Sequence, residues 1–493
     1  MWKKTILMLN KKILMLRKSF ILLLLIGVTA LLYHCRPERR YIEENDAKLQ
    51  FSLDTVYFDT VFTTVGTTTK SFRVYNPHSR FIKIDDIRLA GGANSAFRIN
   101  VDGKSGRQFY NYEIAPEDSM YVFVEATLNP NQSPDILRIQ DSITFSVNGN
   151  FQDIDLVAWG QDVHMMRNTV LDYSTTWVAD KPYLIIDGIL VDTLQELVIE
   201  EGVKIYMHRD AGIFVKGSLK MNGSLENPIT VQGDRLEREF QDDPGYPGQW
   251  FGIYFAPGSY SNVIDNALII NGTFGLWADS VVNYDEPVLT VTNTEINRMS
   301  YDGILGRGTT IEAVNTVIGD CGNSCVELLY EGSYSFNHCT LANYWPQWAS
   351  NRKTPALYIA NYFAYRDSLG EVITVTRNID KAEFTNSIIY GSRTNEILVS
   401  KSEEGELNYT FDKVLARLDE TVYDYNFDPN FIGIIDNEDP LFDSLRVSYE
   451  LDTLSPAIDQ GRLEYAIGAQ LDKKGDFRTA DEAPDLGAFE RIE

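Results

Sequence analysis

Apolar and polar residues alternate along much of the chain, in short runs separated by Gly, Asn, Pro and Asp. Between residues 48 and 162 the runs read LQFSL, SFRVYN, FIKIDDIRL, AFRINV, MYVFVEATL and ITFSV. Alternation with a period of two predicts strands that bury one face, and such close spacing is typical of an antiparallel sandwich. The pattern therefore predicts an all-β fold that begins with a sandwich domain at residues 48–162.

A second rhythm follows Asp162, where an Asn or Asp recurs at the same place in short strands. The repeated positions are Asn266, Asn293, Asn315, Asn337, Asn386 and Asp412. Two successive gaps of 22 residues match one coil of a parallel β-helix, which takes about 20–30 residues. We predict that these side chains stack as a ladder at one bend, because identical amides can bond to each other.

Several segments resemble right-handed parallel β-helix proteins of pectin-lyase-like shape. The opening coils are matched by LVIEEGVKIYMHRDAGIFVKGSLKMNGSLENPITVQG (197–233) and PGQWFGIYF (247–255), and the closing motif by SPAIDQG, KKGDFR and DLGAFE. The resemblance implies a β-helix solenoid at residues 165–450 and its closing motif at 451–493. Because solenoids need covered ends, we expect the sandwich at one end and the closing motif at the other.

The first domain also resembles a known module. VYN and IAPEDSMYVFVEATLNP are similar to immunoglobulin-like modules found beside envelope anchors. The resemblance implies a spacer or a binding surface without catalytic residues.

The N-terminus has the form of an export signal. Basic residues precede the apolar run FILLLLIGVTALLY, and Cys35 follows it. This arrangement resembles a bacterial lipoprotein signal at residues 1–34, in which Cys35 is acylated and residues 35–47 form a tether. A plain signal peptide or an uncleaved anchor remains open, and either Met1 or Met15 could be the start. We expect a lipid-anchored outer-membrane protein that faces the cell surface.

Charge and cysteine content narrow the function classes. The chain has 70 acidic and 44 basic residues, a formal charge of −26, which opposes binding to nucleic-acid phosphates. Three further cysteines, Cys321, Cys325 and Cys339, lack zinc-ligand spacing and predict buried side chains with at most one disulfide.

Catalytic patterns are incomplete. Two Asp pairs, at 85–86 and 242–243, lack the other motifs of β-helix glycoside hydrolases. A lyase would need a base and a cation such as Ca²⁺; the nearest candidates are Arg298, Arg307 and Lys204 with Asp302 and Asp320. Since Arg298 precedes Asp320 by 22 residues, stacking as an ion pair explains both. We predict no catalytic residues, no metal and no cofactor, with Ca²⁺ relevant only if the protein is a lyase.

The gap of 49 residues between Asn337 and Asn386 contains the aromatic stretches NYWPQWASNRK and YIANYFAYR. The register could be kept across one extra coil with a long loop, or broken by an excursion. Loops on rigid scaffolds often bind partners, and Trp, Tyr and Arg anchor interfaces. We predict a binding surface formed by Tyr344, Trp345, Trp348, Arg352 and Tyr362. The alternative is that these rings fold back and pack on the scaffold.

Together these patterns predict an exported scaffold or binding subunit of a larger outer-membrane protein complex. The alternatives are a carbohydrate-active enzyme of the pectin-lyase-like group, and a glycan-binding surface protein without catalysis. An enzyme would need acidic and basic groups in one groove, whereas a scaffold would present aromatic patches.

Overall fold

The computed structural model describes residues 14–21, 39–63, 66–128, 136–236, 246–279, 286–345, 352–422, 425–444 and 448–492. The fold is all-β, with 52% of these described residues in strands and 4% in helices. Residues 14–21 are helical, and a short helix, α1, spans Leu463–Ala466. Within the described ranges no helix has the length and apolar character needed to cross a membrane. The chain divides into a first compact unit of Met1–Phe58, Val65–Leu128 and Arg138–Ala158, and a second of Asp59–Thr64, Asn129–Leu137 and Trp159–Glu493.

The described residues form two five-stranded sheets that lie mainly in the first unit. Their strands are β1 (Gln50–Phe51), β2 (Thr55–Phe62), β3 (Lys70–Tyr75), β4 (Ile82–Leu89), β5 (Phe97–Val101), β6 (Lys104–Gly106), β7 (Gln108–Ile114), β8 (Ser119–Ala126), β9 (Leu137–Val147) and β10 (Asn150–Gln161). The strand orders are β1-β3-β8-β5-β6 and β2-β10-β9-β4-β7. Pairing is antiparallel between β3 and β8, β5 and β8, and β4 and β7. Phe145 of one sheet contacts Phe51 and Phe72 of the other, with ring centroids 5.1 and 6.4 Å apart.

The second unit contains a sheet in which the described residues form 24 strands. Its first half comprises β11 (His164–Leu171), β12 (Thr175–Trp177), β13 (Tyr183–Val191), β14 (Glu196–Ile199), β15 (Lys204–Met207), β16 (Gly212–Val215), β17 (Ser218–Asn222), β18 (Ile229–Gly233), β19 (Gly252–Phe255), β20 (Asn262–Asp265), β21 (Ala267–Ile270) and β22 (Leu276–Ala278). Its second half comprises β23 (Leu289–Thr292), β24 (Glu295–Asn297), β25 (Ile304–Val314), β26 (Val317–Gly319), β27 (Val326–Asn337), β28 (Thr340–Asn343), β29 (Leu357–Ala360), β32 (Ile379–Gly391), β33 (Ile397–Ser400), β34 (Thr410–Ala416), β35 (Phe431–Ile432) and β36 (Ile435–Asp436). Two antiparallel hairpins stand outside it, β30 (Tyr362–Arg366) with β31 (Val372–Thr376), and β37 (Phe442–Ser444) with β38 (Ser448–Leu451).

Strands of this sheet pair in parallel with strands about three places further along the chain. One row joins β16, β19, β22 and β25, a second joins β17, β20 and β23, and a third joins β18, β21 and β24. Parallel strands need a crossover between them, and here other strands of the same sheet form it. The large parallel sheet is compatible with the predicted β-helix-like fold.

The interior of the sheet is filled by residues that stack from strand to strand. Ile213, Ile253, Leu276 and Ile304 pair in succession, and all four are fully buried. Further along, a column of rings continues the core with centroids 4.9, 5.3 and 4.7 Å apart: Phe336, Phe384, Phe411 and Phe431. Cys321, Cys325 and Cys339 are buried free thiols. The predicted burial is therefore confirmed, and the one disulfide that the sequence allowed is not formed.

The predicted Asn ladder lies at a real bend, but its register differs at two positions. The residues that stack there are Asn266, Asn293, Asn315, His338, Asn386 and Lys413, and all have φ between 44° and 56°. Asn337 and Asp412 each lie one residue before the bend. The bend requires a left-handed backbone, which Asn adopts most readily but His and Lys can also adopt. Alignment by residue type therefore missed the bend residue in two coils, those of His338 and Lys413, and found it in the coil of Asn386 between them.

The long gap contains a single enlarged coil. Asn337 pairs directly with Thr385, so no complete extra coil separates them. Among the described residues, the β30–β31 hairpin accounts for part of the additional length. The sequence allowed either a register kept across one extra coil or a register broken by an excursion. The structure keeps the register but has no added coil.

The C-terminal segment, described over residues 439–444 and 448–492, lies along the side of the parallel sheet, whereas we expected the closing motif to cover an end. Asn315 Nδ2 donates to the Leu471 carbonyl at 2.7 Å, and Asn337 Nδ2 to that of Tyr465 at 2.8 Å. Gly487 N donates to the Asn386 carbonyl at 2.8 Å. The Asn side-chain amides of successive coils therefore form hydrogen bonds with this segment as well as with each other.

Candidate functional site

The aromatic insertion does not form one exposed surface. Trp345 is 6% exposed, and its ring lies against Gly322. Tyr344 is partly buried, with its ring 6.3 Å from that of Phe442, and burial raises the pKa of its hydroxyl. These two residues pack on the scaffold, as in the alternative considered from the sequence.

Arg352 is also interior, contrary to its predicted place on a binding surface. Its guanidinium forms two hydrogen bonds with the Glu396 carboxylate, at 2.5 and 2.8 Å, and one with the Asn343 carbonyl at 2.9 Å. Burying a guanidinium requires such a partner, and Glu396, which lies 44 residues later, gives no local sequence signal. Tyr362 lies on the hairpin, where its hydroxyl is 2.8 Å from Ser400 Oγ. Trp348 and Cys35 lie outside the described residues.

A continuous strip of rings runs along the outer side of the parallel sheet, and we call it the aromatic strip. It consists of Phe214, Phe251, Tyr254, Phe274, Trp277 and Tyr301. Phe214, Tyr254 and Trp277 pair successively on β16, β19 and β22. Their inward neighbours are buried, so the alternation of the strands directs these rings outward. Ring centroids of contacting neighbours are 5.0–6.3 Å apart.

Arg307 continues the aromatic strip toward the hairpin. Its guanidinium lies 5.8 Å from the Trp277 ring centroid and 5.2 Å from that of Phe363 on β30. Phe363 in turn contacts Tyr330, with centroids 5.1 Å apart. Sequence reasoning found the hairpin rings but missed the upstream rings. The signal was present as GIFV, GIYF and GLWA at residues 212, 252 and 275, where a Gly, an aliphatic residue and a ring recur at unequal spacing.

A buried carboxyl pair lies beside the aromatic strip. Asn323 Nδ2 donates to Asp302 Oδ1 at 2.7 Å and to Glu327 Oε2 at 3.0 Å. Asp302 is fully buried, and burial, reinforced by Glu327, raises the pKa of its carboxyl well above the usual value. Burial also raises the pKa of Glu327. Like charges in a buried site oppose each other's ionisation, so burial and the neighbouring Glu327 both act against a charged Asp302.

The lyase candidates do not assemble into a site. Arg307 donates two hydrogen bonds to Asp279, one of them at 3.0 Å, and this partner raises the pKa of the guanidinium, so Arg307 cannot accept a proton. Arg298 and Asp320 stack at neighbouring bends, and Asp320 Oδ1 accepts the Tyr344 N–H at 3.0 Å. Lys204 is exposed on β15. In the parts of the chain that the structure describes, no three His, Cys, Asp or Glu side chains could hold a metal ion.

Comparison with known proteins identifies no family. No family model matches the chain, and no curated protein matches it. Solved structures match over short stretches. They include a family 123 glycoside hydrolase from Clostridium perfringens (8% identity, 24% of this chain and 26% of that chain, TM-score 0.17) and a protein from Porphyromonas gingivalis W83 (10%, 25% and 59%, 0.17). A third is the alkylpurine DNA glycosylase AlkC from Pseudomonas fluorescens (10%, 23% and 31%, 0.15). The chain thus spans about a quarter to three-fifths of the length of these proteins.

Proposed function

We propose that this protein is an exported, non-catalytic binding subunit of an outer-membrane protein complex, anchored by a lipid on Cys35. In this proposal the parallel sheet is a right-handed β-helix and the first unit is an immunoglobulin-like spacer. The aromatic strip is the surface that contacts the partner. The strip supports the proposal because contiguous rings flanked by Arg are enriched in protein interfaces.

The arrangement of the rings favours a protein partner over a sugar on this surface. Tyr254 meets Trp277 at 68°, and Phe274 meets Tyr301 at 59°. Rings in these orientations cover each other's faces, which leaves an uneven apolar surface instead of flat faces for stacking sugar rings. Tyr301 is the most open, with 47% of its surface exposed. An uneven apolar patch beside the Arg307–Asp279 ion pair suits the packed centre and polar rim of a protein interface.

The enzyme alternative has less support. Asp302 is fully buried beside Glu327, whereas glycoside hydrolysis needs two carboxyls that both reach the substrate. The bases considered for a lyase are paired or dispersed. A role in binding requires none of these groups to be reactive.

The test is purification of the tagged full-length protein from its native membranes in mild detergent. We expect one or more outer-membrane proteins to co-purify in a fixed ratio. The variant Tyr301→Ser combined with Trp277→Ala should lose these partners while its melting temperature stays within a few degrees of the wild type. The control Tyr260→Ser alters another exposed ring of the same unit, 41% exposed, and should retain them.

Two results would count against the proposal. If the wild-type protein purifies alone, the complex is wrong. If both variants keep the same partners, the aromatic strip is not the interface. Incorporation of a radiolabelled fatty acid that persists after Cys35→Ser would contradict the anchor.

A further inference from the structure

An open concavity of about 640 Å³ lies on the outer face of the sheet that contains β3, β8, β5 and β6. This volume is within the range of small-molecule sites, about 300–1,000 Å³. The polar and aromatic residues that line it include Thr69, Arg98, Asn100, Arg107, Phe123 and Glu125.

The charge of this face is opposite to that of the chain. Arg73, Arg98 and Arg107 are exposed here with Glu125, on a protein of formal charge −26. Glu125 Oε1 already accepts the Thr69 hydroxyl at 2.7 Å. Arg98 pairs across the strands with Glu125, yet its guanidinium has no hydrogen bond or ion pair within the described chain. An unpaired guanidinium can bind a carboxylate through two parallel hydrogen bonds.

Asn100 supplies a second feature that calls for a ligand. Its Nδ2 donates to Ser105 Oγ at 3.3 Å, while its Oδ1 is buried and has no partner among the described residues. A buried acceptor without a donor is costly. A hydroxyl or a water placed in the concavity would satisfy it.

The wall of the concavity continues into a pair of exposed rings on β8. Tyr121 and Phe123 are 40% and 38% exposed, with centroids 5.9 Å apart and planes at 21°. The Arg73 guanidinium lies 4.6 Å from the Tyr121 centroid. Phe123 therefore stands as the open ring beside Arg98 and Asn100, where the apolar C–H face of a sugar could pack on it.

We propose that this concavity binds an oligosaccharide that carries uronic acid carboxylates. Arg98 would bind the carboxylate, Asn100 Oδ1 would accept a sugar hydroxyl, and Phe123 would contact the sugar ring. The site is separate from the aromatic strip and does not depend on the proposed protein partner.

Isothermal titration calorimetry of the full chain with two matched probes tests the site. The probes are a β-1,4-linked oligoglucuronic acid and a cello-oligosaccharide of the same length, which has the same backbone without carboxylates. We expect binding of the uronic acid alone, with affinity that falls as salt rises. Arg98→Gln should weaken binding about tenfold or more, because a charged hydrogen-bond pair is lost.

Variants of exposed rings separate the site from general effects. Phe123→Ala should also weaken binding, whereas Tyr110→Ala should leave it unchanged, since Tyr110 is 61% exposed on β7 of the other sheet. Unchanged melting curves would establish that all variants fold. Equal affinity for both probes, binding of neither, or full affinity in Arg98→Gln would overturn the proposal.

Discussion

Arg352 and Glu396 form an ion pair whose side chains are 3% and 0% exposed. Glu396 also accepts the N–H groups of Ala356 at 2.7 Å and Arg393 at 2.9 Å. The pair therefore joins the end of the loop after β28 to the turn before β33. Both terminal nitrogens of the Arg352 guanidinium are hydrogen-bonded, whereas its Nε has no partner among the described residues. The pair is a structural crosslink that depends on both partners.

We predict that Glu396→Gln destabilises the protein by about 3–5 kcal/mol, because it leaves the Arg352 charge buried without a counter-charge. Urea denaturation followed by tryptophan fluorescence measures this change. The control Lys381→Gln breaks an exposed ion pair with Glu383 and should change stability by about 1 kcal/mol or less. Similar small losses in both variants would contradict the structural role of the buried pair.

Glu490 predicts a pH dependence of stability. Its Oε2 accepts a hydrogen bond from Arg478 Nη1 at 3.2 Å in a buried ion pair, which lowers the pKa of the carboxyl. Burial, the largest cause, and the neighbouring Asp485 and Asp481 outweigh this pair and raise the pKa from 4.5 to about 8. Between these values the folded state holds a proton that the unfolded chain has released, so the free energy of unfolding falls as pH rises. Glu490→Gln mimics the protonated form and should flatten this fall by a few kcal/mol across the window.

The measurement for Glu490 is urea denaturation at several pH values for both proteins. The difference between wild type and variant isolates Glu490 from Asp485, whose pKa is also raised by burial, to about 6. Parallel stability curves across the window would contradict the prediction.

Residue types alone predicted part of these local features. The bend was found because Asn accepts a positive φ, but His338 and Lys413 carry the same conformation without that signature. Arg352 was predicted to lie on a surface because nothing near it in the sequence indicated a partner for its charge. That partner, Glu396, lies 44 residues later. Burial of a charged residue depends on such contacts, which a local pattern does not contain.

At the scale of the strands, a glycine begins β16 and β19 and directly precedes β22 and β25. Gly275 precedes Leu276 and Trp277 where the chain approaches the next coil. A Cβ there would overlap the Gly303 carbonyl oxygen and Ile296 Cγ2. No side chain fits between coils at this place, so a Gly precedes the outward ring.

We predict that Gly275→Ala costs about 1–3 kcal/mol, as overpacking of a filled core does, although alanine favours strands more than glycine. Thermal unfolding measured by circular dichroism would detect it. Gly258→Ala is not a suitable control, since its φ of 93° adds strain. Gly468→Ala is suitable, because nothing lies within 4 Å of the added Cβ, and it should be neutral. Equal stability of the two variants would show that the coils can separate.

The period-two alternation predicted strands, and one coil length predicted parallel stacking. Both are properties of the backbone that repeat along the chain. The sequence did not reveal which residues pair across the long gap. An insertion such as the β30–β31 hairpin lengthens the chain between two coils but leaves the strand pairs on either side of it unchanged. Asn337 and Thr385 pair as neighbours although they lie 48 positions apart in the chain, which only the structure reveals.

At the scale of the whole second unit, the C-terminal segment completes a side of the sheet. Tyr449, Ala488 and Phe489 form a buried cluster with Val317 and Ala342. A second cluster joins Leu451, Ala457 and Leu486 to Ile388, Tyr390 and Leu415. These side chains lie outside the main cluster of core residues of the parallel sheet, and the segment covers them.

We predict that ending the chain after Asn437 lowers the melting temperature by more than 10 °C, or abolishes cooperative unfolding, because several large apolar side chains become exposed. The control removes residues 368–370 at the tip of the β30–β31 hairpin, which are exposed. It leaves two residues to close the turn between the paired Arg366 and Val372 and should melt like the wild type. Differential scanning calorimetry compares the three proteins. A truncated chain that melts at the wild-type temperature would show that the parallel coils are stable alone. In that case the hydrogen bonds from Asn315, Asn337 and Asn386 to the segment would position it without supporting the fold, and the closing motif would be an attached element available for another role.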